Sequence, residues 1–307
     1  MPPKDFRTVG AQLSNWSRWG DDDTIGTINQ ITPAARARAM ALVTSGVTVP
    51  LGLDVGSNGP QPPGSSRSNP IHIMTRTGAS SVETGGFVYT DDLLFIHTQS
   101  GTQVDGLAHV AYDELIYNGH PSSSVSHEGA QHVGIEGLRA GIQGRGILLD
   151  VPQLLGIEQL PGDHLISTAE LKLCLVEAGL ELAAGDSLLI RTGWLRKFLI
   201  EKDRVGYLSR EPGIGLETVE WLAENDVAFV ASDNWGVELA PGERPDEVMP
   251  VHCVLIRDMG MPLGEMFDLE KLSTHCAETK RWEFLFTCLP LAITGGVGSP
   301  VSPIATF

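Results

Sequence analysis

Between residues 97 and 109 the chain reads His97-Thr98-Gln99-Ser100-Gly101-Thr102-Gln103-Val104-Asp105-Gly106-Leu107-Ala108-His109. If this stretch is extended, alternation turns His97, Gln99, Gln103 and Asp105 to one face. A plain half-buried strand would fill that face with apolar side chains, whereas imidazole, amide and carboxylate groups can grip a polar ligand or an ion. Gly101 and Gly106 let another backbone or a ligand come close. The blander reading is a polar turn in which Asp105 caps backbone N–H groups, and the pattern leaves both open. Later in the chain His252 lies on an apolar stretch and Glu265 follows Gly264. Taken singly, the first reads as a satisfied core histidine and the second as a solvated carboxylate. His109 is of the residue type that exchanges a proton near neutrality.

The remaining polar and aromatic candidates are weaker. His72, His120, His127, His132, His164 and His275 have no comparable context and read as structural. Trp19 and Trp235 could wall a pocket for a flat apolar molecule or could pack in the core.

These residues need elements to hold them. Short β-rich runs recur at 47–53, 71–77, 87–97, 146–151, 187–192, 227–232 and 284–293. Ser167-Thr168-Ala169-Glu170 has the capping-box form and predicts a helix that ends near Gly179, with Leu171, Leu175 and Val176 at helical spacing. A second helix is expected from about Leu216 to Asn225, with Val219 and Leu222 on one face. Strands alternating with helices late, and strands nearly continuous early, predict an α/β fold whose first part is rich in β-hairpins. Residues 56–69, rich in Gly, Pro and Ser, have a strand on each side. They read as a long loop within one domain spanning 1–307, either a lid or an idle surface loop.

Composition narrows the partners. With 38 acidic and 21 basic residues among 307, the formal charge is −17. Such a chain repels phosphate backbones and anionic bilayers, so neither nucleic acid nor a membrane is expected as a partner. No apolar run approaches a membrane span, and Met1-Pro2-Pro3-Lys4-Asp5-Phe6-Arg7 lacks the form of a secretory signal. Cys174, Cys253, Cys276 and Cys288 have no C-x-x-C pair and read as reduced core residues, so a cytoplasmic location is expected.

Four separated blocks, in order, resemble the cyclase family, the group similar to kynurenine formamidases. The segment ending at His109 resembles the family signature H-x-G-T-H-x-D-x-P-x-H at Gly101, Thr102, Asp105 and His109. Pro250-Val251-His252-Cys253-Val254-Leu255-Ile256, followed by Gly260-Met261-Pro262-Leu263-Gly264-Glu265, resembles the second ligand block. Residues 19–29 resemble the opening segment and 298–305 the closing one. The resemblance implies the swivelling β/β/α fold of kynurenine formamidases, a homodimer or homotetramer, and hydrolysis of an amide, lactone or related bond in a small molecule.

The sequence also departs from the signature. Gln99 and Gln103 stand where the family has two ligand histidines, and Leu107 replaces a proline. An amide carbonyl is a harder and weaker ligand than imidazole. The implied site is therefore one divalent ion, Mn²⁺ or Zn²⁺, on Asp105, His252 and Glu265, with Gln103 able to complete the shell and His109 as general base. His97 could substitute for a missing ligand. Rival expectations are a lyase or cyclase using the same ion, and a metal-free binding protein of the same fold.

Overall fold

The computed structural model describes residues 5–79 and 83–307; the first four residues, read above against a secretory signal, lie outside them. The apolar runs of the second half become the middle of a nine-stranded sheet. In spatial order its strands are Thr48–Pro50, Ile304–Thr306, Glu283–Cys288, Ile142–Asp150, Ser187–Arg191, Phe229–Ser232, Leu263–Glu265, Gln103–Asp105 and Gly298–Pro300. The four from Ile142–Asp150 to Leu263–Glu265 run parallel, and every other pairing in the sheet is antiparallel. Parallel strands are covered on both faces and carry continuous apolar sequence, and all of Ser187–Arg191 and Phe229–Ser232 is buried.

Helices cover one face. Thr168–Ala178 begins with the expected capping box, Ser167 and Glu170 bonding each other's backbone N–H, and ends on Gly179 at φ 67°. Leu171 and Leu175 are buried against the sheet, but Val176 is exposed because it lies one position off that stripe. Val219 and Leu222 of Leu216–Glu224 pack into the same core as Ile147, Leu188 and Val230. On the other face Phe229 stacks on Phe286 and Phe267 packs tilted against both, with ring centroids 5.8–6.5 Å apart.

The early part differs from the expectation of nearly continuous strands. Among the described residues it contains the helices Phe6–Leu13 and Pro33–Met40, and one long hairpin, Ile71–Arg76 with Asp91–Phe95. Asp5 and Thr32 cap the two helices, and Pro33 occupies the first helical turn, where its missing N–H costs nothing. Several strands are also shorter than their apolar runs. The last of them stops at Cys288, just before Leu289-Pro290, since proline cannot donate to a ladder.

The 56–69 loop is fastened to the signature segment. Gln61 is buried and donates to the Ser100 carbonyl at 3.2 Å, while Arg67 donates to the Gln99 carbonyl at 3.2 Å. All four cysteines are free and buried. Among the described residues no helix is long and apolar enough to cross a membrane.

Candidate metal centre

The strand Gln103–Asp105 lies between Leu263–Glu265 and Gly298–Pro300, with Gln103 opposite Glu265 and Asp105 opposite both Leu263 and Gly298. Residues directly opposite share a face of the sheet, as do positions i and i+2 of one strand. Glu265, Gln103 and Asp105 therefore converge. His252 arrives from the helical turn Pro250–His252, which continues into widened turns over Cys253–Asp258.

One donor atom each from Asp105, His252 and Glu265 lies within 4.8 Å of the others, and all three residues are buried. His252 Nε2 is 3.1 Å from Glu265 Oε1 and 4.0 Å from Asp105 Oδ2. Gln103 Nε2 donates to Glu265 Oε2 at 2.5 Å. Gln103 Oε1 and Asp105 Oδ1 are buried without a hydrogen-bond partner. Buried polar atoms left unpaired are costly and rare. Two carboxylates, an imidazole and an amide carbonyl, with two of their oxygens unsatisfied, fit a divalent cation.

Electrostatics agree with a site built for positive charge. Burial, with the charge of Glu265, pushes Asp105 up to about 6 against the pull of His109 and His252. Burial alone would depress His252, but its hydrogen bonds to Glu238 and Glu265 hold it well above its ordinary value. His109 is half-buried, with Nε2 3.5 Å from Asp105 Oδ1. Burial lowers its pKa, and the charges of His252 and Arg67 act in the same direction against Asp105. At neutral pH it is thus a free base.

The backbone around these residues is held tightly. Thr102 Oγ1 donates to the carbonyl of Met266, next to Glu265, at 2.6 Å and accepts the Leu53 N–H at 2.8 Å. Met249, Met266 and Val237 adopt left-handed φ of 50°, 56° and 62°. Such conformations are uncommon for residues with a side chain and cluster at functional sites. They flank the segments that carry His252, Glu265 and Glu238.

Other expected participants lie further out. Gln99 accepts from Thr98 Oγ1 at 2.8 Å, leaves its Nε2 unpaired, and packs over Gly298, where a Cβ would come within 2.5 Å of it. His97 is exposed because the chain turns between it and Ser100, so alternation does not carry it to the site face. Trp235 packs against the cluster of Trp194, Leu195, Tyr207 and Met266, whereas Trp19 lies under the Arg18 guanidinium. His72 and His164 pair with Asp92 and Glu170, and His120 stacks on His132.

Three residues at the site went unread in the sequence. Arg67 of the 56–69 loop is close enough to His109 to act on its charge. Glu238 and Glu211 are buried carboxylates near His252 and Glu265. Glu211 accepts the Trp235 N–H at 2.6 Å, leaves Oε1 unpaired, and is pushed well above the carboxylate range by burial. A signal existed in Gly236-Val237-Glu238, an acid flanked by apolar residues rather than by a solvated turn.

Comparison with known proteins identifies the family and the fold. The Cyclase family profile matches residues 29–239. A crystal structure of a novel cyclase is 36% identical, covers 96% of this chain and 100% of its own, and superposes with a TM-score of 0.89. An isatin hydrolase bound to the product analogue thioisatinate is 18% identical over 88% of this chain and 94% of its own, with a TM-score of 0.62. A predicted metal-dependent hydrolase from Bacillus stearothermophilus is 16% identical over 85% and 98%, with a TM-score of 0.53. At these lower identities the likeness is one of fold, the swivelling β/β/α architecture. No curated protein matches the chain. Both the profile and the 36% identical structure lead to one assignment: this chain is a member of the cyclase family.

Proposed function

We propose that the chain is a metal-dependent hydrolase that opens a carbonyl C–N or C–O bond in an amide, lactam or lactone of a small cyclic or aromatic molecule. The observation that carries this reading is the convergence of Asp105, His252 and Glu265 beside the unpaired oxygens of Asp105 and Gln103. These three residues would hold one divalent ion, Mn²⁺ or Zn²⁺, and the Gln103 carbonyl would complete its shell. When bound, the ion supplies Lewis-acid polarisation of the substrate carbonyl and lowers the pKa of a water. His109, neutral and half-exposed, takes the proton of the attacking water and returns it to the leaving nitrogen or oxygen. The charge of Asp105, with Oδ1 3.5 Å from His109 Nε2, acts on the His109 ring. The isatin hydrolase among the fold neighbours favours lactams within this class. We further propose that the working form is a homodimer or homotetramer.

The test is a panel of aryl formamides, lactams and lactones assayed with added Mn²⁺ or Zn²⁺ in ¹⁸O-labelled water. Metal-dependent turnover with one labelled oxygen in the product carboxylate is expected. Turnover without label would make the enzyme a lyase, and the absence of bound metal in the purified protein would leave a binding protein.

A further inference from the structure

Glu238 is not among the three clustered ligand groups, yet both of its oxygens are committed to the segment that delivers His252. Oε1 accepts the His252 backbone N–H at 2.8 Å and hydrogen-bonds the ring Nδ1 at 2.6 Å. Oε2 accepts the Val251 N–H at 3.0 Å. The first turn of a helix has N–H groups that need outside acceptors, and Met249, the residue before this turn, supplies no side-chain cap. A carboxylate 13 and 14 residues upstream does so instead.

Glu238 is itself fixed. It is 1% exposed. Val237 before it sits at φ 62° and donates its N–H to Asn234 Oδ1 at 2.8 Å. Gly213 admits the close approach of this backbone, since a Cβ there would lie 2.2 Å from the Glu238 carbonyl carbon.

From these contacts we infer that Glu238 is a positioning residue that keeps a proton on His252 Nδ1, so that Nε2, 3.1 Å from Glu265 Oε1, is the ring atom left to bind an ion between Asp105 and Glu265. The inference rests on the reading that this gap takes a divalent ion. A carboxylate accepts and cannot donate, so the opposite tautomer would set two lone pairs against each other at Nδ1 and an N–H against the ion. Donation to a carboxylate also makes the ring a better ligand.

Glu238→Gln keeps the size but can no longer accept all three N–H groups. Its Zn²⁺ affinity, measured by competition with a chelating dye, should weaken by about 10–100-fold. In ¹⁵N-edited NMR of the whole protein, wild-type His252 should carry a slowly exchanging proton on Nδ1, both metal-free and with Zn²⁺, and the variant should lose or shift it. A variant that is less heat-stable but unchanged in Zn²⁺ affinity and Nδ1 signal would make Glu238 a helix cap only and overturn the inference. So would a zinc-bound wild type with its ring proton on Nε2, a measurement that needs no variant to fold. If wild type binds no Zn²⁺, the functional reading fails instead, and loss of the slowly exchanging Nδ1 proton in metal-free Glu238→Gln relative to wild type still decides the role of Glu238.

Discussion

His109 stands one turn beyond Asp105, with its N–H on the Gly106 carbonyl at 3.0 Å and its ring 3.5 Å from the Asp105 carboxylate. If it is the base, it must be neutral to work, and its lowered pKa keeps it neutral further into acid. Activity is then present above the lowered value and lost as pH falls through it, so the acid limb of kcat/KM should lie below the ordinary histidine value of about 6.5. His109→Ala should cost about 10²–10⁴-fold in kcat while leaving bound metal unchanged, and should abolish that limb. An unaltered rate and profile would make His109 structural. The ion count is a second expectation at this scale. With Gln99 packed over Gly298 and His97 exposed, neither joins Asp105 in a second site, and His109, 3.5 Å from Asp105 Oδ1, is assigned instead to the base. Elemental analysis after dialysis should give one divalent ion per chain, and Gln99→His with Gln103→His should move the count towards two. Two tightly held ions in the wild type would overturn this. The residues legible in the sequence were those in motif blocks. Glu238, Glu211 and Arg67 were not, because their relevance comes from burial and proximity across long stretches of chain.

At the scale of elements, the blocks that resemble the family mostly serve as supports. Gly298–Pro300 pairs beside the signature strand, and Thr102 ties that strand to the residue after Glu265. The opening block is docked through Thr27, which bonds the carbonyls of Ala228 and Gly260. Gly26 sits at φ 55°, and a Cβ there would lie 1.8 Å from the Gly260 carbonyl oxygen. That contact involves two backbones, so no rotamer can relieve it. Gly26→Ala should destabilise the protein by more than about 2 kcal/mol, seen as a lower Tm. An unchanged Tm would mean that this segment is free to move away from Gly260. The later helices were legible from local signals, the capping box of Thr168–Ala178 and the apolar stripe of Leu216–Glu224. The helices Phe6–Leu13 and Pro33–Met40 carry caps too; the first buries Phe6 and Val9 on one face over only two turns, the second is alanine-rich with a weak stripe, and neither was read from the sequence.

For the whole molecule, the hairpin Ile71–Arg76 with Asp91–Phe95 raises a question that the single chain does not answer. Its register sets Ile71 against Phe95 and Ile73 against Leu93, so these four side chains share one face. They are exposed to 49%, 65%, 48% and 44% respectively. The opposite face mixes His72, Met74, Leu94 and Asp92, with His72 and Asp92 paired at 2.7 Å. A lone two-stranded ribbon is marginal in water, and a contiguous apolar face on a soluble protein marks an interaction surface. The strand Asp91–Phe95 also runs within two residues of His97, so the ribbon grows from the segment that carries the candidate site. The proposed homodimer or homotetramer would supply the missing cover through a second copy of this chain. Light scattering on a sizing column should therefore give two or four chains per particle, and Ile73→Asp should shift the mass towards one chain. A monomeric wild type would reject the oligomer, and an Ile73→Asp variant that keeps its mass would place the subunit contact elsewhere.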